Sequence, residues 1–431
     1  MKPQIVDIYL NGLIQSVNDD LSLNSMKIPA FLLRSTRSIK DLWSTLGLFA
    51  EDFRNTLRLF AELAIEFGYS PEKKQMMVLH TMIRQRYEAM KKVAETYSLI
   101  RKLSSTDGSN VAESVLDRVM YGAEALPPLG KEYWWLFFFG QDGEKPMQLM
   151  LFIFRKRGRK MLFNGKEMIL GKVKEGMFQA VTAGWIYDGA ILHDLGDTNA
   201  VTEVHSEEKR VFSEISGRKM ILSGTFPNYR LQVRGVIDLH ISDMNRIADK
   251  NAEGIFIPPF GVGWVDAFLD AKGTVLGKTF RGTAHLQKVI GITIFGSFHW
   301  GRVVFQEGSS ISFFCIKAGK DSKRYFRSSI VFRDRKNDEM VSFDNPTLKI
   351  WKEDEGRRWV VQGHSACRHV RIVLASYAQK RYTMKGRGSQ VYEEYAVVAD
   401  EFCLDNKGDV ISLDDLVKGV GTIEDAYGWP I

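Results

Sequence analysis

The sequence predicts a mainly β protein, in which an α-helical N-terminal region precedes two antiparallel β-barrels or sandwiches in tandem. Helical periodicity dominates up to about residue 125 and is then lost. Beyond that point, short segments rich in β-branched and aromatic residues alternate with glycine-containing turns. No long helical segments separate them, which argues against a parallel α/β sheet, and residues 126–431 are too many for one small barrel.

The N-terminal region contains two predicted long helices. Apolar residues recur every three or four positions between residues 42 and 67, which is one stripe of an amphipathic helix. Gly68 suits its C-terminal cap, and Ser70-Pro71 suits the start of a second helix that ends near Leu103. A short helix over residues 112–120 follows. The apolar stripe either packs on the rest of the protein or docks to a membrane or partner.

After a linker at residues 126–130, the chain is predicted to be β. Turn chemistry such as Asn164-Gly165 and Ser216-Gly217 joins many of the segments. We expect strands over residues 133–139, 148–154, 161–163, 177–181, 210–215, 219–222, 229–241, 297–305, 311–316, 328–332, 359–362, 370–374 and 392–398.

The first predicted strand has no polar face. It lies within Glu132-Tyr133-Trp134-Trp135-Leu136-Phe137-Phe138-Phe139-Gly140. Successive side chains of a strand point to opposite faces, so both faces here are large and apolar and both must be covered. A core covers one face, and either a hydrophobic ligand inside a barrel or the helical region covers the other.

Composition is that of an ordinary globular protein, with 45% hydrophobic and 26% charged residues. No apolar run approaches the roughly 18–20 residues that span a bilayer, and the first residues do not resemble a signal peptide. The three cysteines, Cys315, Cys367 and Cys403, are unclustered, which suggests free thiols in a reducing compartment. We therefore expect a cytoplasmic protein, with peripheral membrane contact as the alternative.

The net charge is +7, and the one dense cluster of basic residues in the sequence is Arg155-Lys156-Arg157-Gly158-Arg159-Lys160. Its glycine and its apolar flanks predict a hairpin turn. This turn is either simply solvated or in contact with lipid headgroups. No recognition-helix motif or zinc-finger spacing accompanies the charge, so nucleic acid is not a predicted partner.

Three short motifs, in their order and spacing, resemble a known family. The first is Glu132-Tyr133-Trp134-Trp135 followed by a hydrophobic strand ending at Arg155, and the second runs from Gly282 to Gly291 and continues in His299-Trp300-Gly301-Arg302. The third is Gly419-Val420-Gly421-Thr422-Ile423-Glu424. Together they resemble the two-barrel, lipocalin-like proteins grouped around carotenoid hydratase (hydroxyneurosporene synthase) and the AttH proteins.

This resemblance implies two tandem lipocalin-like (calycin-type) antiparallel β-barrels with an apolar cavity near their junction. The implied units are residues 1–125, 126–275 and 276–431. Family members include isoprenoid hydratases and, more distantly, cyclases and Diels–Alder-type enzymes. One departure weakens the hydratase chemistry: where the hydratases have an Asp-His pair, this chain has Gln287-Lys288, and neither side chain can act as a carboxylic acid.

Protonation of an alkene requires a carboxyl group kept neutral by an apolar site, with aromatic faces to stabilise the cation. Asp266 shares a strand face with aromatic residues, Asp238 shares one with His240, and Glu394 could face inwards. For each of these residues the alternative is an ordinary solvated or structural side chain. For Glu424 the alternatives are a conformational role and a chemical role. The predicted catalytic residues are Asp266, Asp238, His285 and Glu394, and the predicted ligand-binding residues are Tyr133, Trp135, Phe137, Trp264, Trp300 and Tyr392.

The leading functional prediction is binding of a hydrophobic, isoprenoid- or lipid-like small molecule in a barrel cavity. The protein would catalyse its hydration, cyclisation or isomerisation with no organic cofactor and no metal. A non-enzymatic carrier or sensor that docks through its N-terminal helices is the second hypothesis. A structural protein whose aromatic residues are all core is the third.

Overall fold

The computed structural model describes residues 95–428 except residues 97, 105–107, 110, 124, 127–128, 143–144, 244–248, 258–259, 293–295, 318–319, 321–324, 344–345, 354–356 and 387. The predicted helix over residues 42–67 lies outside the described residues, as does most of the second predicted helix. Most described residues lie in strands, as predicted. No helix in this part of the chain is long and apolar enough to cross a membrane.

The described helical segments are α1 (residues 98–104), α2 (Glu113–Met120) and α3 (Leu413–Leu416). The strands are β1 (Gly108–Ser109), β2 (Gly130–Asp142), β3 (Lys145–Lys156), β4 (Lys160–Phe163), β5 (Lys166–Ile169), β6 (Gly171–Lys174), β7 (Met177–Tyr187), β8 (Leu192–His205), β9 (Arg210–Ile215), β10 (Arg218–Thr225), β11 (Asn228–Val233), β12 (Ile237–Ser242), β13 (Asp249–Ile257), β14 (Phe260–Val275), β15 (Lys278–Ile292), β16 (Phe298–Phe305), β17 (Ser310–Lys317), β18 (Tyr325–Asp334), β19 (Glu339–Ser342), β20 (Thr347–Glu353), β21 (Arg358–Ser365), β22 (Arg368–Lys385), β23 (Ser389–Asn406), β24 (Asp409–Ser412) and β25 (Gly419–Gly428).

Strands of the first half close into an antiparallel barrel. Their hydrogen-bonded order is β14, β12, β11, β10, β9, β8, β7, β3, β2 and β15, and β15 pairs again with β14. The length of β14 allows this closure, because its first part pairs with β13 and its last part with β12 on one edge, while β15 follows the other edge. The predicted first barrel is therefore confirmed.

The two faces of the aromatic strand β2 are buried in different places. Trp134 and Phe138 point into the barrel and pack with side chains of the other strands and of α1 and α2. Trp135 and Phe137 point outwards into a second apolar layer. The inward-facing side chains of the strands thus form a core together with those of the helices, and the expected ligand cavity stays a prediction.

A buried ion pair holds α2 against the barrel. Nζ of Lys288 lies 2.8 Å from Oε1 of Glu132, and both side chains are fully buried. The ammonium donates to the carbonyl oxygen of Gly122 at 2.6 Å and lies 3.5 Å from the centre of the Trp134 ring. Nε1 of Trp134 in turn donates to the carbonyl oxygen of Met120 at 2.8 Å. Because the last carbonyls of a helix lack intrahelical partners, a cation placed there stabilises it, and Lys288 thus has a structural role.

The second half forms another antiparallel sheet around its own core. Its hydrogen-bonded order is β19, β18, β17, β16, β25, β23, β22, β21 and β20, with β24 beside β23. Side chains such as Phe313, Trp359 and Ile423 form the core. A second closed barrel was expected, but within the described residues this order runs from β19 to β20 without closing.

The two halves exchange strands. β15, which the resemblance implied as the opening of the second barrel, pairs with β2 and β14 and completes the first barrel. Conversely, β4 and β5 of the first half form a hairpin, and β4 pairs with β22 of the second sheet. Its turn is the predicted Asn164-Gly165, with φ of 49° and 80°, as a type I′ turn requires. The expected boundary at residue 275 thus falls within the β14–β15 hairpin.

Candidate active site

An apolar layer lies between the barrel and the second sheet, and we call it the inter-sheet layer. One side is the outward face of β2, β3 and β7, and the other is a face of β16, β22, β23 and β25. The ring centroids of Trp135 and Tyr392 are 5.1 Å apart across it, and those of Phe137 and Trp300 are 5.6 Å apart. It is defined by Trp135, Phe137, Phe152, Trp185, Tyr382, Tyr392 and the apolar side chains packed with them.

Most of the predicted ligand-binding side chains meet in this layer. Trp135, Phe137 and Tyr392 are buried in it, and Tyr133 and Trp300 are partly buried against it. The sixth, Trp264, is half-buried on β14, with its ring 6.2 Å from that of Phe314. The layer therefore gathers aromatic faces from both halves of the chain, while their role in ligand binding stays a prediction.

Two buried glutamates lie side by side on the second-sheet face of the inter-sheet layer. Glu394 on β23 and Glu424 on β25 are direct cross-strand partners, and only 0% and 6% of their surface is exposed. From the barrel side, Nε1 of Trp185 donates to Oε2 of Glu394 at 3.1 Å. From β25 of the second sheet, the Thr422 hydroxyl donates to Oε1 of Glu394 at 3.4 Å. Among the described residues, no cation forms a salt bridge with either carboxyl group.

Burial without a cation keeps a proton on this pair. Burial, followed by the neighbouring Glu424, raises the pKa of Glu394 well above its ordinary value. Burial raises the pKa of Glu424 to about 8, although the hydroxyl of Tyr392 opposes this rise. Because the two carboxyl groups are coupled, their protons belong to the pair. At neutral pH the pair therefore holds at least one proton in largely aromatic surroundings, and this state suits a proton donor.

Two tyrosines stand beside the acid pair. The rings of Tyr382 and Tyr392 have centroids 6.2 Å apart. Burial raises the pKa of both phenols, and the nearby carboxyl group of Glu394 or Glu424 raises it further, so both remain neutral at ordinary pH. The hydroxyl of Tyr382 makes no hydrogen bond to a described residue. It can therefore bind a polar group of a molecule that enters the layer.

Two other predicted catalytic residues form a hydrogen-bonded pair at the same layer. Nε2 of His285 lies 2.7 Å from Oδ1 of Asp266, and the side-chain amide of Gln287 donates to that oxygen at 2.9 Å. The imidazole stacks near Trp300, at 5.4 Å between centroids. Burial lowers the pKa of His285, and because the carboxylate accepts from Nε2, Nδ1 is left as an acceptor. Nδ1 has no partner among the described residues.

The fourth predicted catalytic residue lies elsewhere. Asp238 on β12 is 43% exposed, and its carboxylate pairs with Arg230 at 2.8 Å on the neighbouring strand. The hydrogen bond from Arg230 lowers the pKa of this carboxyl group. Asp238 is therefore placed as a solvated ion-pair partner and takes no part in the inter-sheet layer, because its strand face points to water.

The two residues that depart from the family's pattern have other partners. Gln287 orients Asp266, as described above, and Lys288 points to the opposite face of β15, into the barrel. Within the part of the chain that the structure describes, no group of three or more His, Cys, Asp or Glu side chains is arranged to hold a metal ion.

Sequence reasoning left Glu424 between a conformational and a chemical role without selecting it as catalytic, and it did not select Trp185 or Tyr382 as site residues. A local signal for Glu424 exists, because Thr422, Glu424 and Ala426 alternate along one face of a strand. No such signal exists for Trp185, whose partner Glu394 lies in the other sheet.

The chain is similar to solved structures of the kind that the motifs predicted. A provisional AttH protein of Nitrosomonas europaea matches with a TM-score of 0.45 and 13% identity, over 75% of this chain and 98% of that one. CghA matches with a TM-score of 0.42 and 10% identity, over 75% and 94%. Kievitone hydratase of Nectria haematococca matches with a TM-score of 0.36 and 12% identity, over 75% and 96%.

No protein-family model matches the sequence, and no curated protein does so either. The similarity to an AttH protein agrees with the resemblance that the motifs indicated. At TM-scores below 0.5 these similarities carry no argument about activity. What the chain does has to be argued from its own residues.

Proposed function

We propose that the protein protonates a carbon–carbon double bond of an apolar small molecule held in the inter-sheet layer, with the Glu394–Glu424 pair as the acid. The observation that carries this proposal is the pair itself: two buried carboxyl groups that form no salt bridge with a described cation and lie among aromatic rings. An isoprenoid- or lipid-like compound suits such surroundings. The acid-catalysed hydration, cyclisation and isomerisation of an alkene all begin with this proton transfer.

The proton balance closes on the two carboxyl groups. The protonated carboxyl gives its proton to one alkene carbon, and the π electrons form the new C–H bond. This leaves a carboxylate on the protein and a carbocation on the substrate. In hydration, water adds to the cation and its surplus proton returns to the carboxylate; in isomerisation or cyclisation, a carbon-bound proton returns instead. The acid is thereby regenerated without a cofactor.

Neighbouring residues support both charges of this intermediate. The N–H of Trp185 donates to Glu394, so it stabilises the carboxylate that forms when the proton leaves. The rings of Trp135 and Tyr392, 5.1 Å apart beside the acid pair, present π faces that attract a cation. Exclusion of water from the layer strengthens both interactions.

A carrier or sensor without catalytic activity is the second candidate. Nδ1 of His285 and the hydroxyl of Tyr382 are buried at the same layer and make no hydrogen bond to a described residue. Such groups favour binding of a polar end of a ligand, whether or not a reaction follows. In this case the acid pair would only hold the sheets together.

The deciding experiment begins with native mass spectrometry of the gently purified full chain, followed by organic extraction to identify any bound compound. That compound is then incubated in D₂O with the wild-type protein, Glu394→Gln and Glu424→Gln, and analysed for deuterium uptake and mass change. Glu401→Gln is the matched control, since Glu401 lies on the same strand as Glu394 but is exposed and paired with Arg358.

We expect the wild type and Glu401→Gln to convert the compound and incorporate deuterium, and both layer variants to do neither. A bound compound that the wild type leaves unchanged would contradict catalysis and support the carrier. Conversion by Glu394→Gln and Glu424→Gln at the wild-type level would exclude the acid pair as the proton donor. A protein that carries no compound and takes up no hydrophobic dye would contradict both candidates.

A further inference from the structure

A basic part of the described surface lies beside the inter-sheet layer. Residues 156–175 contain seven lysines and arginines against two glutamates, a surplus of five in a chain whose whole surplus is seven. Arg157, Arg159, Lys166 and Lys174 are exposed and form no salt bridge with a described residue. Lys385 of β22 adds another exposed charge, since it is the cross-strand partner of Leu162 on β4.

Exposed apolar side chains are interspersed with these charges. Leu162, Ile169 and Val173 are 39%, 54% and 53% exposed. Leu162 is the cross-strand partner of Glu167, and Ile169 is the cross-strand partner of Lys160. Leu162 and Ile169 therefore share one face of the β4–β5 hairpin. Branched apolar side chains interspersed with unpaired cations match the chemistry of an anionic interface with an apolar interior.

The opposite face of the same hairpin covers the inter-sheet layer. Met161, Phe163 and Met168 are buried in that layer, and the Phe163 ring lies 5.7 Å from the ring of Tyr382. The hairpin is anchored at its turn, where Oδ1 of Asn164 accepts from the backbone N–H of Thr383 at 2.8 Å. One thin element therefore separates the basic–apolar surface from the layer that holds the acid pair.

We propose that this surface, formed by the β3–β4 turn, the β4–β5 hairpin, β6 and the end of β22, docks the protein on anionic lipid bilayers. Its cations contact the headgroups, and Leu162, Ile169 and Val173 enter the boundary with the acyl chains. Nucleic acid is the weaker match, because the surface offers aliphatic side chains and no exposed aromatic ring for stacking among its described residues. Where the proposed function also holds, docking brings the inter-sheet layer to the bilayer in which an apolar substrate dissolves.

Vesicle co-sedimentation of the full chain tests this proposal. Wild-type protein should bind phosphatidylcholine vesicles that contain about 30% phosphatidylserine and should not bind pure phosphatidylcholine. Binding should weaken steeply between about 0.1 M and about 1 M salt, because the Debye length falls from about 10 Å to about 3 Å. The triple variant Arg157→Glu, Arg159→Glu, Lys174→Glu should lose at least ~100-fold in partition coefficient, since each basic residue contributes about fivefold.

A double variant of the apolar side chains separates charge from apolar contact. Ile169→Ser combined with Val173→Ser should weaken binding while leaving its salt dependence intact. The matched controls, Lys272→Glu with Lys349→Glu and Met340→Ser with Val410→Ser, change exposed residues elsewhere and should bind as the wild type does. Unchanged melting temperatures would show that the variants are folded.

Several outcomes would overturn the docking surface. These are a wild-type protein that ignores anionic vesicles, a triple variant that binds them fully, or binding to duplex DNA instead of vesicles. Conversion of a detergent-dispersed substrate should be the same in the triple variant and the wild type. Failure of docking is thus distinguishable from failure of the proposed chemistry.

Discussion

Glu394 and Glu424 face each other directly across β23 and β25, and both are shielded from water. Two ionised carboxylates at directly opposed positions would repel each other and weaken the pairing of the two strands. A proton held by the pair removes this repulsion. The fold therefore favours the same protonated state that the proposed chemistry uses.

The acid pair predicts an unusual pH dependence of stability. The pKa of Glu424 is about 8 in the folded protein and 4.5 for an ordinary glutamate. Between these values the folded chain keeps a proton that the unfolded chain has released. The free energy of unfolding should therefore fall with rising pH in this window, by up to about 1.4 kcal/mol per pH unit. The stabilisation that this proton contributes is complete below pH 4.5 and lost once the pH passes 8.

Urea unfolding of the wild type and of Glu424→Gln across this pH window measures the effect. The variant should show a flatter profile, because its amide does not titrate. Glu401→Gln, an exposed change on the neighbouring strand β23, should keep the wild-type slope. An unaltered slope in Glu424→Gln would mean that Glu424 does not contribute to the titration of the pair.

Trp185→Phe should act on both stability and the acid. The change removes the N–H that donates to Glu394 at 3.1 Å and leaves an aromatic ring in place. We expect a loss of about 1–3 kcal/mol, measured by urea unfolding, from the broken buried hydrogen bond and the reduced packing. Because that bond lowers the pKa of Glu394, its loss should move the alkaline decline of turnover to higher pH.

The control for Trp185→Phe is Trp351→Phe. Nε1 of Trp351 also donates to a glutamate, Glu353, at 2.9 Å, but both residues lie at an exposed edge of the second sheet. Its replacement should cost less than about 0.5 kcal/mol and leave the pH profile alone. Equal losses in the two variants would show that burial of the Trp185–Glu394 bond is unimportant.

Local alternation made the aromatic strand and Glu394 visible in the sequence. It predicted that both faces of β2 are buried, but it could not tell which face meets the barrel core and which meets the second sheet. The partner of Glu394 was out of reach, because Trp185 is 209 residues away and belongs to another sheet. Pairing between distant strands is decided by packing that no local pattern reports.

Asp238 and Asp266 also show that local sequence does not reveal which strands pair. Both are acids on predicted strands with apolar neighbours, and both were candidates. Asp238 has Arg230 close by on the adjacent strand and points to water, whereas Asp266 meets His285 and is 4% exposed. Only the register of the neighbouring strands separates a surface ion pair from a buried site.

Lys288→Met should destabilise the protein by about 1.5–3 kcal/mol, because Glu132 loses one of its two cation partners in a fully buried place and keeps only Arg155. The same change removes the hydrogen bond to the Gly122 carbonyl at the end of α2. Lys278→Met is the matched control: Lys278 pairs with Asp188 at 3.2 Å but is 44% exposed, so its loss should cost less than about 1 kcal/mol.

Urea unfolding of both lysine variants measures the difference. The double variant Glu132→Gln, Lys288→Met should cost more than Lys288→Met alone, since Arg155, the other cation paired with Glu132, then also loses its carboxylate partner. A cost for Lys288→Met no greater than that of Lys278→Met would contradict a structural role for this lysine.

The glycines of the closing motif set the position of Glu424. A Cβ at Gly421 would overlap the backbone oxygen of Arg302 and lie 2.8 Å from Cα of Val303, so only glycine lets β25 pair closely with β16. Gly421→Ala should therefore cost about 1–3 kcal/mol or more and reduce turnover, because Glu424 follows three residues later. Gly408→Ala is the control, as its Cβ meets nothing within 4 Å and it tests only the strain of φ at +99°. Thermal unfolding and turnover of the two variants measure these effects, and activity should fall in Gly421→Ala alone. Equal activities of the two variants would show that Gly421 does not position Glu424.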